Sequence, residues 1–79
     1  MIQEKDLGLL VRQVRNLLGL SQEKFAARLG VAFASVNRWE NGKTKPSPLA
    51  LRQIGDLLVV LGDRGQWLHR EYFPGEQET

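Results

Sequence analysis

The sequence predicts an all-α domain built from five helices. Apolar residues recur at helical spacing in several segments, Gly or Asn-Gly follows most of those segments, and no segment has the alternating pattern of a strand. A chain of 79 residues forms one small domain that buries only ~60% of the surface of the unfolded chain. Because the chain has no cysteine and no cluster of metal-spaced histidines, helix packing alone must hold this domain together.

The first helix is expected from about Glu4 to Leu18, with Gly19 ending it. Its apolar residues follow the i, i+3, i+4, i+7 pattern of a single helix face. They are Leu7, Leu10, Val11, Val14, Leu17 and Leu18. The segment is therefore an amphipathic helix.

The second helix begins at Gln22, where Ser21 can accept hydrogen bonds from the unpaired N–H groups of the first turn. Gly30 ends this helix and can adopt a positive φ at little cost, so the chain turns sharply. In the third helix the residues of the inner face are Val36, Trp39 and Glu40. Two short helices joined by a tight turn are the expected result.

Asn41 and Gly42 form the stop of the third helix, and a polar loop follows. Ser47 and Pro48 start a fourth helix, whose apolar residues are Leu51, Ile54, Leu57, Leu58 and Leu61. Gly62 is expected to end it, and Asp63 to cap a short fifth helix. The domain is thus predicted over residues 1–73, with a flexible tail over residues 74–79.

The net charge of +2 hides an uneven distribution of charge along the chain. Residues 12–52 carry eight basic and two acidic residues, a net charge of +6, whereas the remainder has a net charge of −4. A concentration of positive charge is typical of proteins that bind a polyanion. By itself, it is equally consistent with solvated side chains on helix surfaces.

The segments LGLSQEKFAARLGV and SVNRWENGK, together with the Pro-Ser-Pro helix start, resemble the Cro and phage-repressor (XRE) family of helix-turn-helix domains over roughly Leu9 to Leu61. This resemblance implies a lambda-repressor-like five-helix fold. It also implies sequence-preferring binding of double-stranded DNA by a transcriptional regulator, with a recognition helix over about residues 33–41 in the major groove.

The resemblance assigns DNA contacts to nine residues: Gln22, Phe33, Ala34, Ser35, Asn37, Arg38, Asn41, Lys43 and Lys45. Gln22 is expected to contact a phosphate and to brace the recognition helix. Asn37 could pair with adenine, and Arg38 could reach guanine or a phosphate. The last three residues are expected to hold the DNA backbone, which positions the protein without selecting a sequence.

Arg15 and Glu40 match a pair of residues that form a structural ion pair in the family. The pair would fix the orientation of the first helix relative to the third. The alternative is two ordinary surface charges, which the spacing disfavours.

Phe33 and Ala34 depart from the polar residues usual at their positions. They could contact thymine methyl groups. Phe33 also lies about one-sixth of a turn from Val36, so it could instead cover the edge of the core or a partner. The apolar pair leaves base selection mainly to Asn37 and Arg38.

The C-terminal aromatic residues, together with Val59 and Val60, leave two interpretations open. The fifth helix could fold back on the core, or these residues could form the surface of a homodimer that reads two half-sites ~34 Å apart. His69 is expected on an exposed helix with no metal-ligating neighbours. Trp39 is expected in the core.

Two other classes of function compete with DNA binding, namely catalysis and protein binding. Asp56 and Asp63 lack a pocket, a nucleophile or a phosphate loop nearby, so no catalytic residue, enzymatic activity, cofactor or metal is expected. The remaining alternatives are a helix-turn-helix module that binds a protein, such as an antitoxin or a coactivator-like domain, and the DNA-targeting domain of a larger protein. The longest aliphatic run, residues 57–61, is too short for a membrane span, so a cytoplasmic protein is expected.

Overall fold

The computed structural model of the protein describes residues 6–74. Five helices and no strand occur in this range, so the prediction of an all-α fold is confirmed. The helices are α1 (Leu7–Leu18), α2 (Gln22–Leu29), α3 (Phe33–Glu40), α4 (Pro48–Val60) and α5 (Asp63–Tyr72). No helix within residues 6–74 is long and apolar enough to cross a membrane. The predicted tail, apart from Pro74, lies outside the described residues.

Side-chain caps fix the start of three helices. Each cap accepts a hydrogen bond of 3.0–3.1 Å from the backbone N–H three residues later, and the caps are Asp6, Ser21 and Ser47. Because the backbone of Asp6 is extended and its carboxylate caps the first turn, α1 begins at Leu7. The predicted start at Glu4 is therefore wrong by three residues.

The junction between α4 and α5 also differs from the prediction. α4 ends at Val60, Leu61 is its C-cap, and Gly62 precedes α5 with a φ of 65°. Gly62 thus occupies the N-cap position, where it offers no side-chain hydrogen bond, and Asp63 is the first helical residue rather than the cap. The carboxylate of Asp63 still lies at the positive end of the helix dipole.

The turn between α2 and α3 has the geometry expected for Gly30. Its φ is 73°, and the N–H of Val31 bonds to the carbonyl of Ala26 at 3.0 Å. This bond pairs the carbonyl of Ala26, which the end of α2 would otherwise leave without a partner. The chain therefore turns within three residues, and α3 begins at Phe33.

The core receives side chains from all five helices. Its buried apolar residues are Leu10, Val11, Val14, Phe25, Ala26, Leu29, Val36, Trp39, Ala50, Ile54, Leu58 and Leu68. Val36 and Trp39 lie on the inner side of α3 as predicted, so the core anchors α3 through one face and leaves the opposite face at the surface.

The C-terminal aromatic residues separate into two groups. Tyr72 and Phe73 pack against the core, whereas the Trp67 side chain is 54% exposed. His69 is only 8% exposed and its ring stacks on Phe73 with centroids 5.2 Å apart, so the expected exposed position of His69 is wrong. The reason is that α5 folds back with Leu68 and His69 turned inward, which one-dimensional spacing did not resolve.

Candidate nucleic-acid interface

The outer face of α3 combines apolar and basic residues. Phe33 is 51% exposed, and Ala34 and Arg38 are exposed as well. About half of the Phe33 surface is therefore accessible to a ligand. Ser35 and Asn37 are half-buried at the side of the same helix.

The loop after α3 continues this surface. Asn41, Lys43 and Lys45 are exposed, and the N–H of Lys43 bonds to the carbonyl of Arg38 at 2.9 Å. This bond holds the backbone of Lys43 next to the last turn of α3. The exposed basic side chains of α3 and of the loop therefore lie within eight residues of sequence, from Arg38 to Lys45.

Arg15 and Glu40 form a close ion pair between α1 and α3. Arg15 Nε donates to Glu40 Oε2 at 2.7 Å and Nη2 donates to Glu40 Oε1 at 3.1 Å. The side chains are 18% and 2% exposed, respectively. A bidentate pair of this kind fixes both distance and orientation, so the C-terminal end of α3 has one position relative to α1.

The surroundings of Glu40 keep its carboxylate ionised. Burial alone would raise its pKa, but hydrogen bonds from Arg15 and Gln22 and the charges of Arg15 and Arg12 outweigh burial, and the pKa of Glu40 lies below its ordinary value. The same pairing raises the pKa of Arg15. Glu40 is therefore an acceptor of hydrogen bonds over the whole physiological pH range.

Arg12 is a second cation on Glu40 that the sequence did not reveal. Its Nη2 donates to the backbone carbonyl of Glu40 at 3.3 Å, and its Nε lies 3.6 Å from Oε1. Half of its side chain remains exposed. The available signal was its position one helical turn before Arg15 on α1, which places both guanidinium groups near the end of α3.

Gln22 links this ion pair to Asn37 in the middle of α3. Its Nε2 donates to Glu40 Oε1 at 3.0 Å, and its Oε1 accepts from Asn37 Nδ2 at 3.2 Å. Asn37 Oδ1 in turn accepts from Asn41 Nδ2 at 3.1 Å. The expected bracing of α3 thus has a physical form, and Asn37 has intramolecular partners at both ends of its amide, which sequence reasoning missed.

The arrangement defines a helix-turn-helix in which one face of α3 is anchored and the other faces solvent. A family model described as helix-turn-helix matches residues 11–58, more than half of the chain. The chain therefore belongs to the XRE type of helix-turn-helix proteins, as the resemblance implied.

Curated relatives are similar over 54 residues, or 68% of this chain. One from Rhodospirillum rubrum, an uncharacterised transcriptional regulator in the ATPase CF(0) region, is 39% identical. An uncharacterised HTH-type transcriptional regulator from Sinorhizobium medicae is 33% identical. The match spans 50% and 39% of these relatives, respectively, so the chain corresponds to half of their length or less. No solved structure matches significantly.

No group of His, Asp or Glu side chains between residues 6 and 74 is arranged to hold a metal ion. The family and the names of its relatives point to regulators rather than enzymes.

Proposed function

We propose that this chain binds double-stranded DNA with sequence preference, as the DNA-binding unit of a transcriptional regulator acting in the cytoplasm. The observation that carries the proposal is that α3 has two different faces. Val36 and Trp39 on the inner face are buried, whereas Arg38 and Phe33 on the outer face are exposed beside a basic loop. The helix-turn-helix family and the regulator names of its relatives support the proposal.

In this proposal α3 enters the major groove. A helix with its side chains is about 10–12 Å across, and the groove is ~12 Å wide. Arg38 reaches guanine or a phosphate. Phe33 and Ala34 carry no hydrogen-bonding group and contact thymine methyl groups.

The DNA backbone is held on both sides of α3. Lys43, Lys45 and Asn41 contact phosphates on one side, and Gln22 with the first N–H groups of α2 contacts phosphate on the other. These contacts supply affinity and register, since phosphates are the same at every sequence.

A homodimer is part of the proposal. Val59, Val60 and Trp67 are 63%, 78% and 54% exposed on α4 and α5, and burying them between two copies would remove apolar surface from water. Two copies could then read half-sites ~34 Å apart. Size-exclusion chromatography with light scattering tests this, and a monomer at all concentrations, with DNA and without, contradicts it.

The decisive experiment selects bound duplexes from a random pool and then titrates the selected duplex at increasing salt. Lys43→Ala and Lys45→Ala should each lower the slope of log K against log salt by ~0.9 while leaving base preference unchanged. Arg70→Ala on α5 removes the same charge from an exposed site outside the proposed interface and should leave the slope unchanged.

Phe33 has its own test on the selected duplex. Replacing each thymine by deoxyuridine removes only the methyl group, and one such replacement should weaken the wild type but not Phe33→Ala. Absence of any binding to duplex DNA at low salt would contradict the whole proposal and favour the protein-binding module, for which exposed Phe33 and Trp67 are the supporting feature.

A further inference from the structure

We infer that Asn37 is a positioning residue rather than a base reader, and that its amide is oriented by Glu40 through Gln22. The inference rests on the proposed function, because it concerns how the same face of α3 selects DNA. It reverses the adenine contact expected for Asn37 from the resemblance. It assigns base selection to Arg38, Phe33 and Ala34.

The hydrogen bonds between these side chains run in one direction only. A carboxylate can accept but cannot donate, so the group of Gln22 that faces Glu40 must be Nε2. Gln22 then presents Oε1 to its other neighbour, and Asn37 must donate to it through Nδ2. Oδ1 of Asn37 is left to accept from Asn41. Each amide orientation follows from the one before it.

This relay of hydrogen bonds runs from Glu40 through Gln22 and Asn37 to Asn41. It is fixed more firmly at Glu40 than at Asn41. Glu40 has a side chain only 2% exposed and receives two hydrogen bonds from Arg15. Asn41, at the other end, is exposed. Rotating the Gln22 amide would turn its oxygen toward the Glu40 carboxylate and its NH2 group toward Asn37 Nδ2, which would break two hydrogen bonds at once.

The relay already uses one N–H and one lone pair of the Asn37 amide and fixes the plane of that amide. An asparagine recognises adenine by presenting its oxygen and its NH2 group together to one base edge. Asn37 directs the oxygen to Asn41 and one N–H to Gln22, and it is half-buried between α2 and α3. Turning toward a base would leave Gln22 Oε1 without its donor. Arg38, the next residue, is exposed and has no such constraint within the relay.

The relay has a consequence for specificity even though it touches no base. Asn37 ties the middle of α3 to the first residue of α2, and Glu40 ties its end to α1. Two attachment points along an eight-residue helix fix its rotation about its own axis. Arg38 and Phe33 are thereby held in one register relative to the phosphate contacts of α2.

The test is a double-mutant cycle with Asn37→Ala and Gln22→Ala, measured on the selected duplex and on its single-base variants. Asn37→Ala alone should weaken binding about fivefold, the equivalent of one neutral hydrogen bond. In the Gln22→Ala background the same change should cost less than twofold, because the path through Gln22 is already broken. The base preference of Asn37→Ala should decline modestly at several base pairs, and it should not be lost entirely at a single base pair.

A base reader gives a different pattern. Asn37→Ala would then cost the same factor in both backgrounds and would abolish preference at a single A·T pair, and this result would overturn the inference. Chromatography and circular dichroism of each variant establish that it is folded, which is expected because Asn37 lies outside the apolar core.

The relay is also measurable without DNA, so its failure can be separated from that of the proposed function. In amide NMR spectra of the unbound protein, Asn37→Ala should shift the side-chain NH2 signals of both Gln22 and Asn41. The matched control Asn16→Ala removes an exposed amide on α1 and should leave both signals in place. Unshifted Gln22 signals in Asn37→Ala would overturn the relay, whether or not the protein binds DNA.

Discussion

Two helix crossings in this molecule are similarly close but are held by different forces. At the first, Gly8 of α1 lies so near α3 that an added Cβ would be 2.5 Å from the carbonyl oxygen of Trp39. At the second, a Cβ on Gly65 of α5 would be 2.6 Å from the carbonyl oxygen of Leu58 in α4. Both crossings require glycine because backbone meets backbone.

At the first crossing, an ion pair and amide hydrogen bonds join the helices, whereas apolar side chains surround the second crossing. Arg15, Glu40 and Gln22 fix α3 against α1 and α2, while Ile54, Leu58 and Leu68 bury the contact of α4 and α5. Apolar packing has no preferred direction, but hydrogen bonds do. The polar attachments therefore lie at α3, the helix that the proposed function places in the major groove.

The largest expected effect belongs to the apolar crossing. Leu58→Ala should destabilise the fold by about 3–4 kcal/mol, because Leu58 is fully buried and its truncation leaves a cavity. Urea denaturation measures the free energy of unfolding. The loss should be the same at pH 7 and pH 4, since Leu58 carries no titratable group. A loss below 1 kcal/mol would mean that this crossing is not held by packing.

Glu40→Ala comes next, with an expected loss of about 3 kcal/mol, because it leaves the Arg15 guanidinium in a largely enclosed site with only the carbonyl of Leu20 as acceptor. Double substitution of Arg15 and Glu40 should cost less than the sum of the single changes. Additive losses, or a change near zero for Glu40→Ala, would show that the pair does not hold the polar crossing.

Gly65→Ala should cost about 2 kcal/mol through overpacking, since the new methyl group meets backbone that cannot move aside. Gly55→Ala is the matched control in α4, where the nearest atoms belong to the Phe73 ring at 3.3 Å. That ring can shift, and alanine favours the helix, so we expect Gly55→Ala to be nearly neutral in thermal denaturation. Equal losses for the two variants would refute the close crossing.

The smallest expected effect is a change of stability with pH, which we expect at the first crossing, through Glu40, but not at the second. The folded-state pKa of Glu40 lies below its ordinary value of 4.5, so its stabilising contribution is present above that value and is lost as pH falls through the folded-state pKa. The difference in unfolding free energy between wild type and Glu40→Gln should therefore shrink below about pH 4.5. A difference independent of pH would show that Glu40 is not held ionised by its partners.

Much of the fold was predictable because its signals are local. Ser21 and Ser47 cap helices, Gly30 turns the chain, and apolar spacing marks the inner faces, all within a few residues in sequence. The predictions that were wrong concerned the start of α1, the junction at Gly62 and the exposure of His69. Each depended on which of several neighbouring residues takes the cap or the inner position.

The family pattern named the residues of the candidate interface, but the contacts between their side chains were not predictable from the sequence. The family pattern named Asn37 as a reader, and nothing in its neighbours along the chain indicates that its amide is engaged. Its partner Gln22 is 15 residues away and Glu40 is 18 residues from Gln22. Only their meeting across the turn reveals the relay.

The sequence by itself determined an all-α helix-turn-helix protein and the location of its basic surface, because caps, turns and apolar periodicity act over a few residues. Only the tertiary structure determined that Arg12 and Arg15 both bind Glu40 and how the side-chain amides of Gln22 and Asn37 are oriented. These choices depend on hydrogen-bond direction between side chains from three helices, and that direction exists only after the helices have packed.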